Sequence, residues 1–359
     1  MENNIKLAFA SNQNEIEIPI LTEEQTAGKG YVLYGSDNQY PEYLFDLVNN
    51  VTSLKTIIEG TADYVAGDDA TCNIKGFEFQ INRNGMKARE LITLLARDYL
   101  IYGGFACQVI KNKLGEVVEL NYLDFRYCRS SKDNQSIYYN EEFSKKWGRS
   151  NKMVVYPKFT PEFNNINSVI YVKNTVSSTY PSPRWSGAIK ACEIEKHIDN
   201  LHLNSLNNGF MSSYIINFNN GVPDDEQKSM IEKKLNEKFA GTGNAGRIMC
   251  TFNPGKDNMA TVQKLEAVDF SEKYTAAADR SREQIFAAFR ANPQLFGIVS
   301  QATGFSKIEF QESYELYYNT VVKPIQRTIT DTFDKVFQTN NSFTIKPFSF
   351  GEVEADNVS

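Results

Sequence analysis

Histidine is nearly absent from this chain: of 359 residues, only His197 and His202 carry an imidazole. Both fall on one predicted helix, so a hydrolase using histidine as its base would draw both candidates from a single element. Glu193 stands four residues before His197 and Asp199 three before His202, spacings that set a carboxylate beside each ring on a helix. The His-Glu-x-x-His order of a zinc hydrolase is missing. A histidine- or metal-dependent hydrolase built on Glu193, His197 and His202 is therefore kept as the alternative reading. Solvated or subunit-interface histidines are the preferred one. The chain also lacks a Gly-x-Ser-x-Gly elbow, a Walker-type phosphate loop and a distinctive Cys/His pairing. No catalytic residue, no metal and no cofactor are expected.

Other absences narrow the class further. The five cysteines, Cys72, Cys107, Cys128, Cys192 and Cys250, are odd in number and widely spaced. No two-residue gap suggests a zinc knuckle or redox pair, which leaves buried, reduced thiols. Met1 to Ser11 has neither the basic start nor the apolar core of a signal peptide. No run is long and apolar enough to span a membrane. The formal net charge is −6 and there is no basic tail or arginine stripe. A tight grip on nucleic acid would need one, because binding draws on counterion release from the phosphates. With 41% hydrophobic and 23% charged residues, the composition is that of an ordered protein.

Gly241-Thr-Gly-Asn-Ala-Gly246 spells the dinucleotide fingerprint, but its surroundings are reversed. That chemistry requires the glycines to leave a strand and open a helix. Here a predicted helix, Asp224–Phe239, precedes and a strand, Gly246–Phe252, follows, so the glycines read as a helix-to-strand turn.

The part of the chain that organises the rest runs from Val268 to Phe337. Phe270, Tyr274, Ala277, Ala278, Ile285 and Phe289 recur mostly at three- and four-residue steps, which predicts an amphipathic helix. At roughly 22 residues it would be about 33 Å long, with Asp269 as its cap and Pro293 just past its end. A Gly/Pro loop follows, Asn292-Pro-Gln-Leu-Phe-Gly297 and on to Phe305. Ser306-Lys-Ile-Glu309 has capping-box spacing and opens a second helix carrying Tyr314, Tyr318, Val321, Val322, Ile325, Ile329, Phe333 and Val336. Pro324 interrupts that stripe, and a mid-helix proline predicts a kink.

Before these helices the pattern is α+β with an antiparallel sheet. Strands are expected at Ile5–Ala10, Glu15–Ile20, Tyr31–Tyr34, Phe77–Ile81, Phe105–Lys111, Val117–Tyr122, Phe125–Arg129, Ile137–Asn140, Met153–Phe159 and Val169–Lys173. Helices are expected at Glu42–Val48, Thr52–Ala66 and Lys87–Tyr102, the last stopped by Gly103-Gly104. Ser186 would cap a long helix through Asn207. A small β-α-β-β insertion lies between that helix and the next, with Asp224, Asp225 and Glu226 opposing the positive end of its helix. Ser342–Pro347 reads as a final strand.

Taken in order, several of these features resemble the portal proteins of tailed bacteriophages, in the long-tailed-phage branch. They are Val169-Ile-Tyr-Val-Lys173, Tyr180-Pro-Ser-Pro-Arg-Trp-Ser-Gly-Ala188, Asn208-Gly209, Gly243-Asn-Ala-Gly-Arg247, Glu283-Gln-Ile-Phe-Ala-Ala-Phe289 and Asn292-Pro-Gln-Leu-Phe-Gly297. The chain departs from the family in having Arg290-Ala-Asn-Pro293 where Gly-Val-Pro-Pro is common, and in ending soon after its last strand, so that a helical crown is short or missing.

The resemblance implies a portal-type fold: wing 1–185, stem helix 186–209, clip 210–267, second stem helix 268–291, tunnel loop 292–305, kinked tunnel helix 306–338, and a C-terminal strand and tail 339–359. It implies a dodecameric ring at one capsid vertex, assembled in the host cytoplasm, that conducts double-stranded DNA without reading sequence. Ser300, Gln301, Thr303 and Lys307 would lie nearest the DNA. Asp224, Asp225, Lys228, Gly243 and Asn244 on the clip would face the terminase large subunit and the head–tail adaptor. The major capsid and scaffolding proteins are the further implied partners, with no membrane involved. A structural ring unrelated to phage is the third reading.

Overall fold

The computed structural model describes residues 18–25, 29–144, 153–161, 165–207, 213–218, 224, 226–227, 230, 248–252, 261–265, 271–298 and 307–349. The chain divides into two compact units. The first comprises Met1–Phe45, Thr71–Ser182 and Thr332–Thr344; the second comprises Asp46–Ala70, Pro183–Asp331 and Ile345–Ser359.

The first unit is built on antiparallel strands. β4 (Gly104–Lys111) lies between β5 (Val117–Leu123) and β9 (Asn167–Lys173), and β7 (Ser136–Tyr139) lies between β6 (Cys128–Ser130) and β8 (Val154–Pro157). Helix α3 (Ala88–Tyr102) packs on β4 and buries Leu91, Ile92, Leu95 and Tyr99. Its end is set by Gly103 at φ 84°, whose N–H donates to Tyr99 O at 2.9 Å. Gly104 follows because the chain must pass close to β9: a Cβ there would lie 2.4 Å from the Val172 carbonyl oxygen. Behind it, Phe125 stacks between Tyr102 and Tyr171, with ring centroids 5.6 and 5.0 Å away.

A second cluster in this unit surrounds Arg129, which is 1% exposed. Tyr180 stacks on Tyr34 at 4.0 Å, and the Tyr34 hydroxyl donates to Pro181 O at 3.0 Å. Strand β2 (Val32–Tyr34), paired with β1 (Glu23–Gln25), supplies one wall of this core. The helix α1 (Tyr40–Asn50) starts with Pro41 in its first turn, where a missing N–H costs nothing.

The second unit is mainly helical. α2 (Thr52–Ala66) buries Leu54, Ile57, Ile58, Ala62 and Val65 along one apolar face, with Thr61 beside them. Gly67 at φ 70° closes it, and its N–H returns to Asp63 O at 2.9 Å. α4 (Ile189–Asn207) packs against α5 (Ser271–Phe289). Buried Trp185 stacks on Phe289 at 6.4 Å where the two helices begin and end. The insertion between them carries β10 (Ser213–Phe218), flanked by parallel β11 (Ile248–Phe252) and antiparallel β12 (Thr261–Leu265). The helix expected at Asp224–Phe239 between β10 and β11 lies mostly outside the described residues.

Several expected elements differ in the structure. Phe77–Ile81 is not a strand. Gly76 at φ 94° and the Phe77 N–H to Ile74 O bond (3.0 Å) fold it into a turn, and Phe79 is 90% exposed. Phe125–Arg129 begins as a 3₁₀ turn, Phe125–Tyr127, because the Asp124 carboxylate caps the Arg126 N–H at 2.9 Å; β6 starts only at Cys128. Ile18–Ile20 is not extended into a strand, whereas β3 (Asp69–Cys72) is a strand that the alternation did not reveal. Ser186 does not cap α4: a 3₁₀ turn, Ser186–Ala188, precedes the helix.

The second long helix carries a π turn within it. α6 (Lys307–Tyr317) passes into a π turn, Tyr318–Val322, and then α7 (Lys323–Phe337). Pro324 has no N–H to donate, and the helix widens just ahead of it, so that the Lys323 N–H reaches Tyr318 O. Ile5–Ala10, Asp269 and Ser306 lie outside the described residues.

Candidate functional site

Within the second unit, the chain on either side of residues 299–306 is tied down by polar and aromatic side chains. On the entering side, Asn292 does two things. Its Oδ1 accepts from the Gln294 N–H at 3.1 Å, and its Nδ2 donates to Ser313 Oγ on α6 at 3.0 Å. Pro293–Phe296 forms one 3₁₀ turn, ended by Gly297 at φ 81°. Ile298 N–H returns to Pro293 O at 3.1 Å. The turn is short because asparagine at its cap and proline at its first position favour a start, while glycine in the left-handed region forces a stop.

Phe296 then sits in an aromatic cluster. Its ring lies edge-on to Tyr64, Phe286 and Tyr317, with centroids 6.0, 6.0 and 5.9 Å away. Gly60 on α2 makes room for it: a Cβ at residue 60 would come within 2.9 Å of two Phe296 ring atoms. The Tyr64 hydroxyl donates to the Leu295 carbonyl at 2.8 Å. On the leaving side, Tyr314 of α6 packs edge-on to Tyr64 at 5.3 Å. Tyr317 OH and Thr61 Oγ1 are 2.7 Å apart and buried. Burial raises the Tyr64 and Tyr317 phenols above their ordinary value and pushes Tyr314 up to about 12. These hydroxyls are neutral at physiological pH and act as hydrogen-bond partners, not as acids or bases.

The arrangement ties down the chain before residue 299 and after residue 306, and among the described residues it is built of hydrogen bonds and aromatic contacts. Beyond the aromatic cluster, α6 turns Glu309, Glu312 and Glu315 to solvent.

Ser300, Gln301 and Thr303 lie outside the described residues. Lys307 is the first residue of α6, and its side chain lies outside them as well. Of the clip residues, Asp224 is exposed and its Oδ1 accepts from the Gln227 N–H at 2.7 Å, the helix-start role its position suggested. Asp225, Lys228, Gly243 and Asn244 lie outside the described residues. Gly60, Thr61 and Tyr64 were not among the predicted site residues. A glycine, a threonine and a tyrosine one turn apart on the buried face of a helix were the available signal.

The hydrolase reading is not supported. Glu193 and His197 do meet, at 3.8 Å. His202, however, is five residues further on, about 140° around the helix from His197, so the two rings cannot converge on one ion. Among the described residues, no group of three His, Cys, Asp or Glu side chains could hold a metal. Among the described residues, no helix is long and apolar enough to cross a membrane.

Residues 81–352 match the family model described as phage portal protein. Among solved structures, a chain from the virion of a native gene transfer agent particle matches with a TM-score of 0.54 at 16% identity. The match covers 89% of this chain and 86% of that one. A chain from the neck of the native particle, computed with C12 symmetry, matches with a TM-score of 0.52 at 17% identity, over 86% and 84%. A chain from the neck of the empty particle, computed with C6 symmetry, gives 0.53 at 16% identity, over 89% and 85%. At these identities the likeness is one of fold. No curated protein matches the chain.

Proposed function

We propose, from the premise that this chain belongs to the phage portal protein family, that it forms the ring through which a duplex genome is packaged and ejected. The observation that carries the reading is the match over residues 81–352, which covers the whole helix–insertion–helix–loop–helix run. It also removes the non-phage ring and the histidine hydrolase as competing readings.

The finer assignments follow from that reading. The ring is dodecameric; the neck structure computed with C12 symmetry, which shares the fold, supports this number. It occupies one capsid vertex of a virion and is assembled in the host cytoplasm. Residues 1–185 form the wing, 186–209 and 268–291 the stem, 210–267 the clip, 292–305 the tunnel loop and 306–338 the tunnel helix. Ser300, Gln301, Thr303 and Lys307 meet the DNA backbone. Asp224, Asp225, Lys228, Gly243 and Asn244 face the terminase large subunit and the head–tail adaptor, and the wing meets capsid and scaffolding proteins. The protein performs no chemistry of its own. Its role is to guide and hold DNA while a separate motor does the work.

Physical chemistry supports this division of labour. A conduit has to let DNA slide, so weak, non-specific attraction suits it better than a basic groove. The net charge of −6 and the exposed Glu309, Glu312 and Glu315 agree with such a wall. Asn292, Phe296 and Tyr317 fix the chain on either side of the proposed DNA-facing residues.

The test combines negative-stain electron microscopy and native mass with deletion of residues 300–303. Rings of about a dozen copies with an axial hole wider than a duplex, about 20 Å, are expected from both forms. The deletion is expected to impair DNA packaging or retention. Loss of the ring on deletion, or a duplex-impassable hole in the intact ring, would defeat the reading.

A further inference from the structure

The outer faces of α4 and α5 carry complementary stripes that their mutual packing leaves uncovered. On α4, Lys190, Ile194, His197 and Leu201 follow at steps of four, three and four, and all are exposed. Ile194 is 45% and Leu201 41% exposed, unusual for large aliphatic side chains seven residues apart on one face. That is the spacing of a helix–helix seam. On α5, Ala276, Arg280, Glu283 and Ala287 follow at steps of four, three and four, again all exposed. Among the described residues, the ion pair on this helix joins Arg282 to Asp279 at 3.2 Å and does not involve Arg280 or Glu283.

The two stripes fit each other better than either fits itself. One is bulky, with two aliphatic knobs; the other is flat, with two alanines. Laid antiparallel with Ile194 over Ala287, the register puts His197 beside Glu283 and Leu201 over the aliphatic stem of Arg280, whose charged head can reach water. Laid parallel with Ile194 over Ala276, it presses Leu201 onto Glu283 and desolvates a carboxylate without a partner. The antiparallel register also brings Lys190 near Arg290, which lies just past the end of α5. Both are long side chains at the end of the seam that can splay into water, where the repulsion is small.

We propose that the Lys190–Leu201 stripe of α4 packs on the Ala276–Ala287 stripe of α5 in a second copy of this chain. The inference rests on the ring reading above. In a closed ring every contact joins two different surfaces, so each copy must offer a matched pair on opposite flanks. A packed helix pair does this, with one helix facing each neighbour. The aliphatic stripe occupies the flat one, and the imidazole and carboxylate set the register.

The test is directed crosslinking in the full chain. Ile194→Cys and Ala287→Cys together, under mild oxidation, are expected to give a ladder of covalent multimers up to the ring size measured by native mass. Either single variant, and Leu201→Cys paired with Arg290→Cys, are expected to give no ladder. Both positions are exposed, so folding is preserved and circular dichroism checks it. As a second measurement, Leu201→Lys is expected to raise the protein concentration needed for half-assembly at least tenfold. A ring of the expected mass that forms with the paired cysteines yet does not crosslink would overturn this seam while leaving the ring reading in place. A chain that assembles into no ring, with or without capsid and scaffolding proteins, would overturn both.

Discussion

The Tyr64 hydroxyl donates a 2.8 Å hydrogen bond to the Leu295 carbonyl, joining α2 to the turn that enters the loop. A neutral hydrogen bond of this kind contributes about 1 kcal/mol. Tyr64→Phe keeps the ring, and so the contacts with Phe296 and Tyr314, while deleting the bond. The expected result is a loss of about 1 kcal/mol in denaturant unfolding, with faster amide exchange confined to residues 293–298. Unchanged exchange there would show that the bond does not hold the turn.

Gly60 tests the same anchor from below. In an exposed helix, replacing glycine by a residue with a side chain usually helps. Here the Cβ would fall 2.9 Å from Phe296 ring atoms, and overpacking of that size costs about 1–3 kcal/mol. Gly60→Val should therefore destabilise the chain by about 2 kcal/mol, and Gly60→Val combined with Phe296→Leu should recover part of it. A non-additive double-mutant cycle is the readout.

Arg129 is a buried cation whose partners are neutral oxygens. Its Nε donates to Asn38 Oδ1 at 2.6 Å, and its two terminal nitrogens donate to the carbonyls of Arg126, Cys128 and Asn38, each at 2.8 Å. Phe143 and Tyr34 lie under the guanidinium at 4.8 and 5.7 Å. Lysine cannot span this fork. Arg129→Lys and Arg129→Met should each cost about 3 kcal/mol by leaving carbonyls without donors. Stability within 0.5 kcal/mol (roughly the range of an ordinary surface change) would refute a structural role.

Asp98 predicts a pH dependence. It is 3% exposed, and burial raises its carboxyl well above the usual range, with the Asp124 charge adding to the effect. The Phe125 N–H and Tyr122 hydroxyl, both at 3.1 Å, oppose the shift. Because the folded state holds this proton more tightly than the unfolded chain, stability falls as pH rises from about 4 towards the folded value. Asp98→Asn removes the titration and keeps one oxygen to accept from the Phe125 N–H, with its amide nitrogen turned to donate to the Tyr122 hydroxyl. Its melting temperature should vary less between pH 4 and 8 than that of the parent chain; parallel curves would contradict the assignment.

Four cysteines should be silent towards alkylation in the folded protein. Cys72, Cys107, Cys128 and Cys192 are free and buried. Burial raises all four thiols, Cys72 to about 11 and Cys192 to about 12. The thiolate is the reactive form, so iodoacetamide at pH 8 should label them only after denaturation, as peptide mapping would show. Rapid labelling of Cys107 or Cys128 would mean that the first unit opens readily.

Much of this protein was legible from its amino-acid order, because helical faces and strand alternation are local properties. The face of α2, the ends of α3 at Lys87 and Gly103, the strands β4, β9 and β12, and the position of Gly241–Gly246 before a strand could all be read from spacing and turn residues. So could the family, from the order of the helices, the insertion and the Pro293 loop. What tertiary structure decided depends on residues far apart in the chain. Thr61 meets Tyr317 across 256 residues, and Glu195 meets Ser53 across 142. No periodicity encodes either. The same holds for Arg129, which the sequence marks only as the end of an expected strand and the fold buries among carbonyls. The widening at Tyr318–Val322 was half legible. Pro324 announced a break, but whether the helix bends or takes up a π turn depends on which residues around it must stay buried, here Tyr317, Val322 and Ile325. Local chemistry marks where an element starts and stops; packing decides which of its side chains become anchors.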